Sequence, residues 1–373
     1  MSIIATLGQY LIPFLVILSV VVFVHEFGHY WVARRNGVRV ETFSIGFGPE
    51  LFGRFDRHGT RWKFSAVPLG GYVKMLGDAD ATSSTIDIGA AKDPESFPAK
   101  SVWQRMAIVF AGPGANFIFA IVVLAALFSI SGRPFTPAVV GEVQESSPAA
   151  AAGLLPGDRI TGIGSSVIDS FESLQGVVRE SPGQPLDFVI DRGGERLTVT
   201  VTPAMTELTD RFGNTHRVGL IGVSRAGVEY RRVNPVTALW DATAETGRMV
   251  TGTLAALWEM VIGSRGTAEL GGPLRIAQMS GQIAQDGLVP VIWFAAVLSI
   301  NLGLINLFPI PMLDGGHLLM YGIEAARGRP LTERSQEIAF RFGLAMVLSL
   351  MVFATWNDLV HLKIVEFVSN LIS

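Results

Sequence analysis

The chain has 373 residues, 49% of them hydrophobic and only 16% charged, with a mean hydropathy of +0.42. Soluble domains carry about a quarter charged residues, so a polytopic membrane protein is the first expectation. The net charge of −3 is neutral on nucleic acid, but no basic run with interleaved aromatics occurs, so that partner class is set aside; the absence of cysteine excludes disulfides and thiolate ligands and leaves His, Asp or Glu to hold any metal.

Crossing about 30 Å of hydrocarbon takes roughly 20 apolar residues in a helix. Residues 4–33 qualify, and residues 1–33 contain no Lys or Arg. The basic start of a secretory signal is therefore missing, and the run (domain 1–33) reads as a retained first span. Residues 34–102 form a β-rich loop followed by a linker. "VETFSIGFG" and "RWKFSAVPLGGYVKM" within 40–75 predict a hairpin or small sheet, and 78–96 is polar and of low complexity. The uncharged run 106–131 gives the second span (103–131).

The chain then changes character. Residues 137–203 show short alternating runs such as "LDFVI" and "RLTVTVTP", separated by "SSPAAAAGLLPGDRI" and "DRGGE". They predict a small α+β domain at 132–205 with a helix near 170–180. Residues 206–286 read as a linker with membrane-adjacent amphipathic helices, one of them at 249–263, which is short and contains Glu259. The uncharged run 287–313 gives a third span (287–316) and a loop follows at 317–337. A weaker fourth span at 338–357, with Arg341 near its start, lies within 338–373.

Arg34, Arg35 and Arg39 follow the first span, and Arg327, Arg329 and Arg334 lie between the third and fourth. Both loops therefore face the cytoplasm, which puts the N-terminus and the long segment 132–286 outside.

The first span ends in "FVHEFGHYWVARR". An HExxH pattern on a helix puts two imidazoles, His25 and His29, on one face, where they can grip a zinc ion. Glu26 then stands beside the metal's water rather than on the metal, placed to take a proton from it and return it to a leaving amine. Ionisable groups inside an apolar span cost several kcal/mol unless paired or liganded, which favours the metal over a surface cluster at the helix end.

A catalytic zinc takes three protein ligands and keeps one position open. The third run ends in "INLFPIPMLDGGHLL", where Asp314 is the first charge after 287–313. Spans one and three run in the same direction, so His25, His29 and Asp314 all lie toward the cytoplasmic ends of their helices. Pro309 and Pro311 break the helix and let an aspartate on irregular backbone turn inward, tolerable at that depth only when buried in protein or lining a wet cavity. Asp314 alone could be an interfacial helix-stop carboxylate. His317 is a rival ligand, ranked below Asp314 because it lies further into the loop.

With HEFGH at 25–29, "NLFPIPMLDGG" at 306–316 and "FAGPGANF" at 110–117, the chain resembles the site-2 protease family of intramembrane zinc metalloproteases, in its bacterial regulator-of-sigma-E protease branch. That resemblance covers nearly the whole chain. It implies one zinc per chain on His25, His29 and Asp314, Glu26 as catalytic base, and Asn306 as a catalytic residue that positions substrate or stabilises the oxyanion. It places the polar member of the second span on Asn116, entered with the substrate-binding positions, although packing beside Gly112 and Gly114 is its plain alternative. Residues 64–75 resemble the family's membrane-associated β-loop, with Gly46 and Gly48 in its GxG strand and Gly70 and Gly71 beside them, also substrate-binding. The domain at 132–205 resembles a PDZ module, through "SPAAAAGLLPGDRI". It departs from such modules in reading "GIGSS" at 162–166, so binding of an extended C-terminus by strand addition and service as a size-selecting plug both stand.

The implied fold is a polytopic α-helical membrane protein of about four spans, with a cytoplasmic-side β-hairpin or sheet and an inserted PDZ domain. The implied activity is cleavage of single-span membrane proteins, such as trimmed anti-sigma factors or signal-peptide remnants, in the bacterial inner membrane. The implied partners are those substrates and the lipid bilayer, with no nucleic acid. A second class is a non-catalytic PDZ-bearing adaptor with a structural metal, against which every catalytic position is filled. A transporter is a third, but no inverted repeat supports it.

Overall fold

The computed structural model describes residues 3–78, 92–209, 215–263 and 271–361; most of the polar linker expected at 78–96 and the tail beyond 361 lie outside them. The first element, α1 (Ile3–Arg35), runs unbroken past the expected span and carries Pro13 inside it and Arg34 and Arg35 in its last turn, where cations oppose the negative end of the helix dipole.

Two long strands follow, β1 (Val40–Phe55) and β2 (Arg61–Met75). They bend and pair twice, so they form a small sheet rather than a plain hairpin. Thr42 faces both Arg61 and Lys74, and Ile45 faces both Phe64 and Gly71, while Glu50 to Phe55 return along Ser65 to Arg61. Residues 40–47 thus lie between two legs of β2, and the leg at 71–75 is left as an edge. The sheet is pinned to α1 by aromatics. Phe43 stacks on Trp62 with ring centroids 4.2 Å apart, and the Tyr30 ring meets both edge-on. Asp56 accepts hydrogen bonds from the Tyr30 hydroxyl (2.9 Å), the Trp62 indole (3.0 Å) and the backbone N–H groups of His58 and Thr60. Burial pushes the Asp56 carboxyl up, and these donors overcome it, leaving it at about 2.

Helix α2 (Val102–Ile130) is uncharged from Met106 onward and contains Pro113. It leads out of one compact unit (Met1–Ala125, Leu239–Leu254, Thr267–Ser373) into a second (Ala126–Ala238, Ala255–Gly266).

The second unit contains β3 (Arg133–Phe135), β4 (Val140–Val143), the short α3 (Pro148–Ala151), β5 (Arg159–Ile163), β6 (Ser166–Val167), α4 (Phe171–Arg179), β7 (Leu186–Arg192) and β8 (Glu195–Val201). Ser147 and Ser170 cap the two helices with their side chains. The main sheet has the order β6-β5-β7-β8 and closes over Val140, Leu154, Ile160, Leu174, Phe188, Ile190 and Val201. The expected end of this domain at 205 is corrected. A hairpin of β9 (Ala204–Thr209) and β10 (Thr215–Leu220) follows, and then β11 (Val223–Arg225) pairs with β4 and β12 (Glu229–Arg231) with β3. Ile221 is buried in the same core. Residues 206–209 and 215–231 are therefore part of this unit and not a linker; three-residue strands are too short for alternation to reveal.

Next comes α5 (Pro235–Val261), capped by Asn234. It is one helix of 27 residues, of which the piece expected at 249–263 is only the second half. The shorter α6 (Pro273–Gln285) starts at a Gly272 that supplies no side-chain cap. Asp358 supplies it from elsewhere, accepting from the N–H groups of Gly272 (2.8 Å), Leu274 (3.0 Å) and Arg275 (3.1 Å). The third apolar run forms α7 (Leu288–Asn306), which stops before its prolines. The loop expected at 317–337 is corrected as well: α8 (Asp314–Arg327) occupies its first half, ended by Gly328 in the left-handed conformation. The last helix is α9 (Glu333–His361). Among the described residues, α1, α2, α7 and α9 contain segments long and apolar enough to cross a membrane. Ile17 and Val21 of α1 pack with Phe294 of α7, while Tyr30, Ala33, Phe43, Ile108 and Tyr321 share a second core around the sheet.

Candidate metal centre

One helical turn separates His25 from His29, so both project from the same face of α1 and are buried there. Their Nε2 atoms are 3.2 Å apart. Asp314 Oδ2 lies 3.2 Å from His25 Nε2 and 3.5 Å from His29 Nε2. The three ligand atoms all fall within 4.8 Å of one another.

The aspartate is aimed by the backbone before it. After α7 the chain runs through Pro309 and Pro311, and Met312 takes φ +96°, a conformation rare for a residue with a side chain. Gly315 and Gly316 let this loop fold back on the first turn of α8, since a methyl group on them would strike the carbonyls of Leu307, Phe308 and Ile310. Asp314, opening α8, is thereby turned toward the imidazoles.

The donor set fits a zinc ion. Oδ2 of Asp314 is buried and makes no hydrogen bond despite its short approach to both rings. A buried carboxylate oxygen without a donor is costly, and a cation at the centre of the triangle removes that cost. Two imidazole nitrogens and one carboxylate oxygen make the three-ligand set of a catalytic zinc with an open position.

Helix α2 orients the rings. His29 Nδ1 lies 2.9 Å from the Ile108 carbonyl; a carbonyl only accepts, so Nδ1 carries the proton and Nε2 presents its lone pair to the site. His25 Nδ1 lies 3.2 Å from the Asn116 side-chain amide. Such contacts need close helices, and the glycines supply them. Gly28 faces the Ala111 carbonyl, and Gly112 faces both imidazoles, with no room for a methyl on either.

Glu26 stands outside the ligand group, half-buried. The edge leg of β2 passes it at Gly71, where an added methyl would come within 3.1 Å of Glu26 Cγ and 2.7 Å of the Ser44 carbonyl. Gly70 lies against the Phe47 ring, and Gly46 (φ +89°) against the Val67 carbonyl; Gly48 (φ +86°) turns the strand beside the Val67 side chain. Of the four glycines expected near substrate, the structure brings Gly71 to Glu26, and the others shape the sheet. Asn306 closes α7 and stays out of the hydrogen bonds that hold the imidazoles. Asn116 is fully buried against His25 rather than open to a substrate. His317 is not in the ligand group and faces the Tyr321 ring instead. Sequence reasoning missed the Ile108 carbonyl, for which a side-chain pattern carries no signal.

The sequence profile described as Peptidase family M50 matches residues 13–350. A protein of Agrobacterium fabrum named as a candidate zinc metalloprotease is 48% identical over 362 residues, covering 95% of this chain and 96% of that protein. Metalloprotease MmpA of Caulobacter vibrioides is 38% identical over 389 residues, covering 97% and 98%. Among solved structures, the PDZ domain of an SdrC-like protein from Listeria monocytogenes is 20% identical, with a TM-score of 0.20, over 24% of this chain and 88% of that one.

Proposed function

The chain belongs to peptidase family M50 and is a zinc metalloprotease, and from that premise we propose that it hydrolyses peptide bonds of single-span membrane proteins within or beside the bilayer. The observation that carries this is the meeting of His25 and His29, buried on a helix apolar enough to cross a membrane, with an unpartnered carboxylate oxygen of the half-buried Asp314. A water-consuming site set into such helices suits a substrate that is itself a membrane helix.

One zinc ion per chain, when bound, supplies a Lewis acid for the scissile carbonyl and for water. The protein's own groups do the rest. Glu26 accepts the proton of the attacking water and returns it to the leaving amine. Asn306, by the family resemblance, holds the carbonyl oxygen as charge develops there. A helical substrate hides its peptide bonds in its own hydrogen bonds, so it must be drawn out first. The edge leg at 71–75 offers extended pairing next to Glu26. Leu51, Phe52, Phe64 and Leu69 at the far end of the sheet are exposed, which suits contact with lipid or with an unwound substrate.

The arginines after the first span and before the fourth support a cytoplasmic-side zinc site in a bacterial inner membrane, with the N-terminus and the PDZ-resembling unit outside. There that unit screens substrates, and trimmed anti-sigma factors and signal-peptide remnants are the substrate class.

The test compares wild type with Glu26→Gln, assaying zinc content and cleavage of a model single-span substrate. Both are expected to hold about one zinc, and the variant to cut at least ~10²- to 10⁴-fold more slowly, the span of general-base catalysis. Wild type that holds zinc but cuts neither intact nor trimmed substrate would replace this reading with the adaptor one.

A further inference from the structure

We propose that Asn116 is the positioning residue of the metal site: its side-chain carbonyl accepts a hydrogen bond from His25 Nδ1 and so presents the lone pair of His25 Nε2 to the zinc ion. This rests on the zinc-protease reading and deepens it.

The asparagine is fully buried in an apolar helix, an expensive place for an amide unless its groups are used. In the orientation drawn, its Nδ2 lies 3.2 Å from His25 Nδ1, and its Oδ1 is buried with no partner at all. That orientation makes Nδ1 an acceptor and forces the ring proton onto Nε2, the atom that faces Asp314 and His29. A ring protonated there cannot ligate a metal. Rotating the amide by half a turn exchanges its oxygen and nitrogen without changing its shape. Oδ1 then accepts from Nδ1–H, and Nε2 is free to ligate. By count of hydrogen bonds the two orientations are even, since an unpaired carbonyl becomes an unpaired amino group. The metal breaks the tie, because it requires a bare Nε2.

Helix geometry supports the same assignment. His29 is already held by the Ile108 carbonyl, 2.9 Å away on α2, the helix that also carries Asn116. Ile108 and Asn116 are two turns apart, about 12 Å along α2, while the two imidazoles are one turn apart, about 6 Å along α1. A helix carbonyl leans toward the C-terminus and a side chain toward the N-terminus. The two acceptors therefore converge from either side on a pair of rings one turn apart. Packing alone does not require the amide. The contact that ties α2 to α7 here, from Ser299 Oγ, goes to the backbone carbonyl of Asn116 at 3.0 Å, and any residue at 116 would keep it.

The experiment measures zinc dissociation from the purified full chain by chelator competition, with cleavage of a model single-span substrate beside it. Asn116→Leu keeps the bulk and removes the acceptor; Asn116→Asp keeps an acceptor. Loss of a ligand's hydrogen-bonded support costs roughly 10- to 100-fold in metal affinity, so Asn116→Leu is expected to bind zinc that much more weakly and to regain cleavage as zinc is raised. Asn116→Asp is expected to match wild type or bind more tightly. Should Asn116→Leu fail to fold, Asn116→Ser against Asn116→Asp carries the test, since the shorter hydroxyl does not reach Nδ1. Wild-type affinity in Asn116→Leu, or equal weakness in Asn116→Asp, overturns the inference and leaves the protease reading intact. Wild type whose zinc depends on Asn116 but which cuts nothing overturns the protease reading alone. A wild type without zinc overturns both.

Discussion

A methyl group added at Gly112 would collide with His29 Nε2 and stand 2.9 Å from His25 Cε1. The glycine is thus part of the wall of the metal centre, although it offers no ligand. Gly112→Ala is expected to displace the imidazoles by a fraction of an ångström to an ångström, lowering zinc affinity and cutting cleavage by about 10²-fold, the penalty of such a misplacement. Gly114→Ala, whose methyl meets only the Phe110 ring at 3.4 Å, serves as the neighbouring control. Equal zinc affinity in Gly112→Ala and wild type would show that the wall yields. At this scale the candidate ligands were legible as a group, because charged and imidazole groups in an apolar run need a reason to be there. What orients them was not: the Ile108 carbonyl belongs to the backbone, and Asn116 reads equally as packing, binding or positioning until His25 is placed beside it.

Elements are stitched together by a few buried carboxylates. In the second unit Asp158, just before β5, is 1% exposed and takes both oxygens to Arg192 at the end of β7, at 2.7 Å each. The guanidinium beside it holds the Asp158 carboxyl below the usual carboxylate range, and the Leu155 N–H adds to this. A carboxyl lowered in the folded state stabilises above its unfolded value, near 4, and loses that contribution as pH falls through its folded value. The unit is therefore expected to lose stability as pH drops below about 4. Asp158→Asn should remove most of that dependence and destabilise at neutral pH by roughly 1.5–3 kcal/mol, the range for hydrogen bonds to charged groups. Denaturation across pH 3–7 reads both, and a variant with an unchanged pH slope counts against the pairing. The motif "PGDRI" was visible as a turn before a strand, but its partner 34 residues on was not, since nothing local links them.

The inserted unit has its own core and borrows its closing strands from far along the chain. A fragment of residues 132–231 is expected to unfold in one cooperative transition. A fragment ending at 205 lacks β11, β12 and Ile221. Burial of one such side chain contributes about 1.5–3 kcal/mol, and in a domain of this size each kcal/mol moves the midpoint by roughly 4–8 °C. The shorter fragment should melt roughly 6–24 °C lower; coincident melting curves would restore the boundary at 205.

The sequence by itself determined the class of molecule and which residues could form its centre. Runs of apolar residues are cumulative and local, so α1, α2, α7 and α9 could be placed within several residues. HEFGH and LDGG carried the residues that the structure brings together, in types suited to a metal and few other uses. The tertiary structure alone decided the rest. It folded β1 and β2 into a double-paired sheet whose edge meets Glu26, returned residues 223–231 to β3 and β4, and turned residues 314–327 into a helix that aims Asp314. It also set α2 against both histidines. Each of these depends on a contact between residues far apart in the chain, whose free energy is absent from any short window of sequence and appears only when the helices close to touching distance.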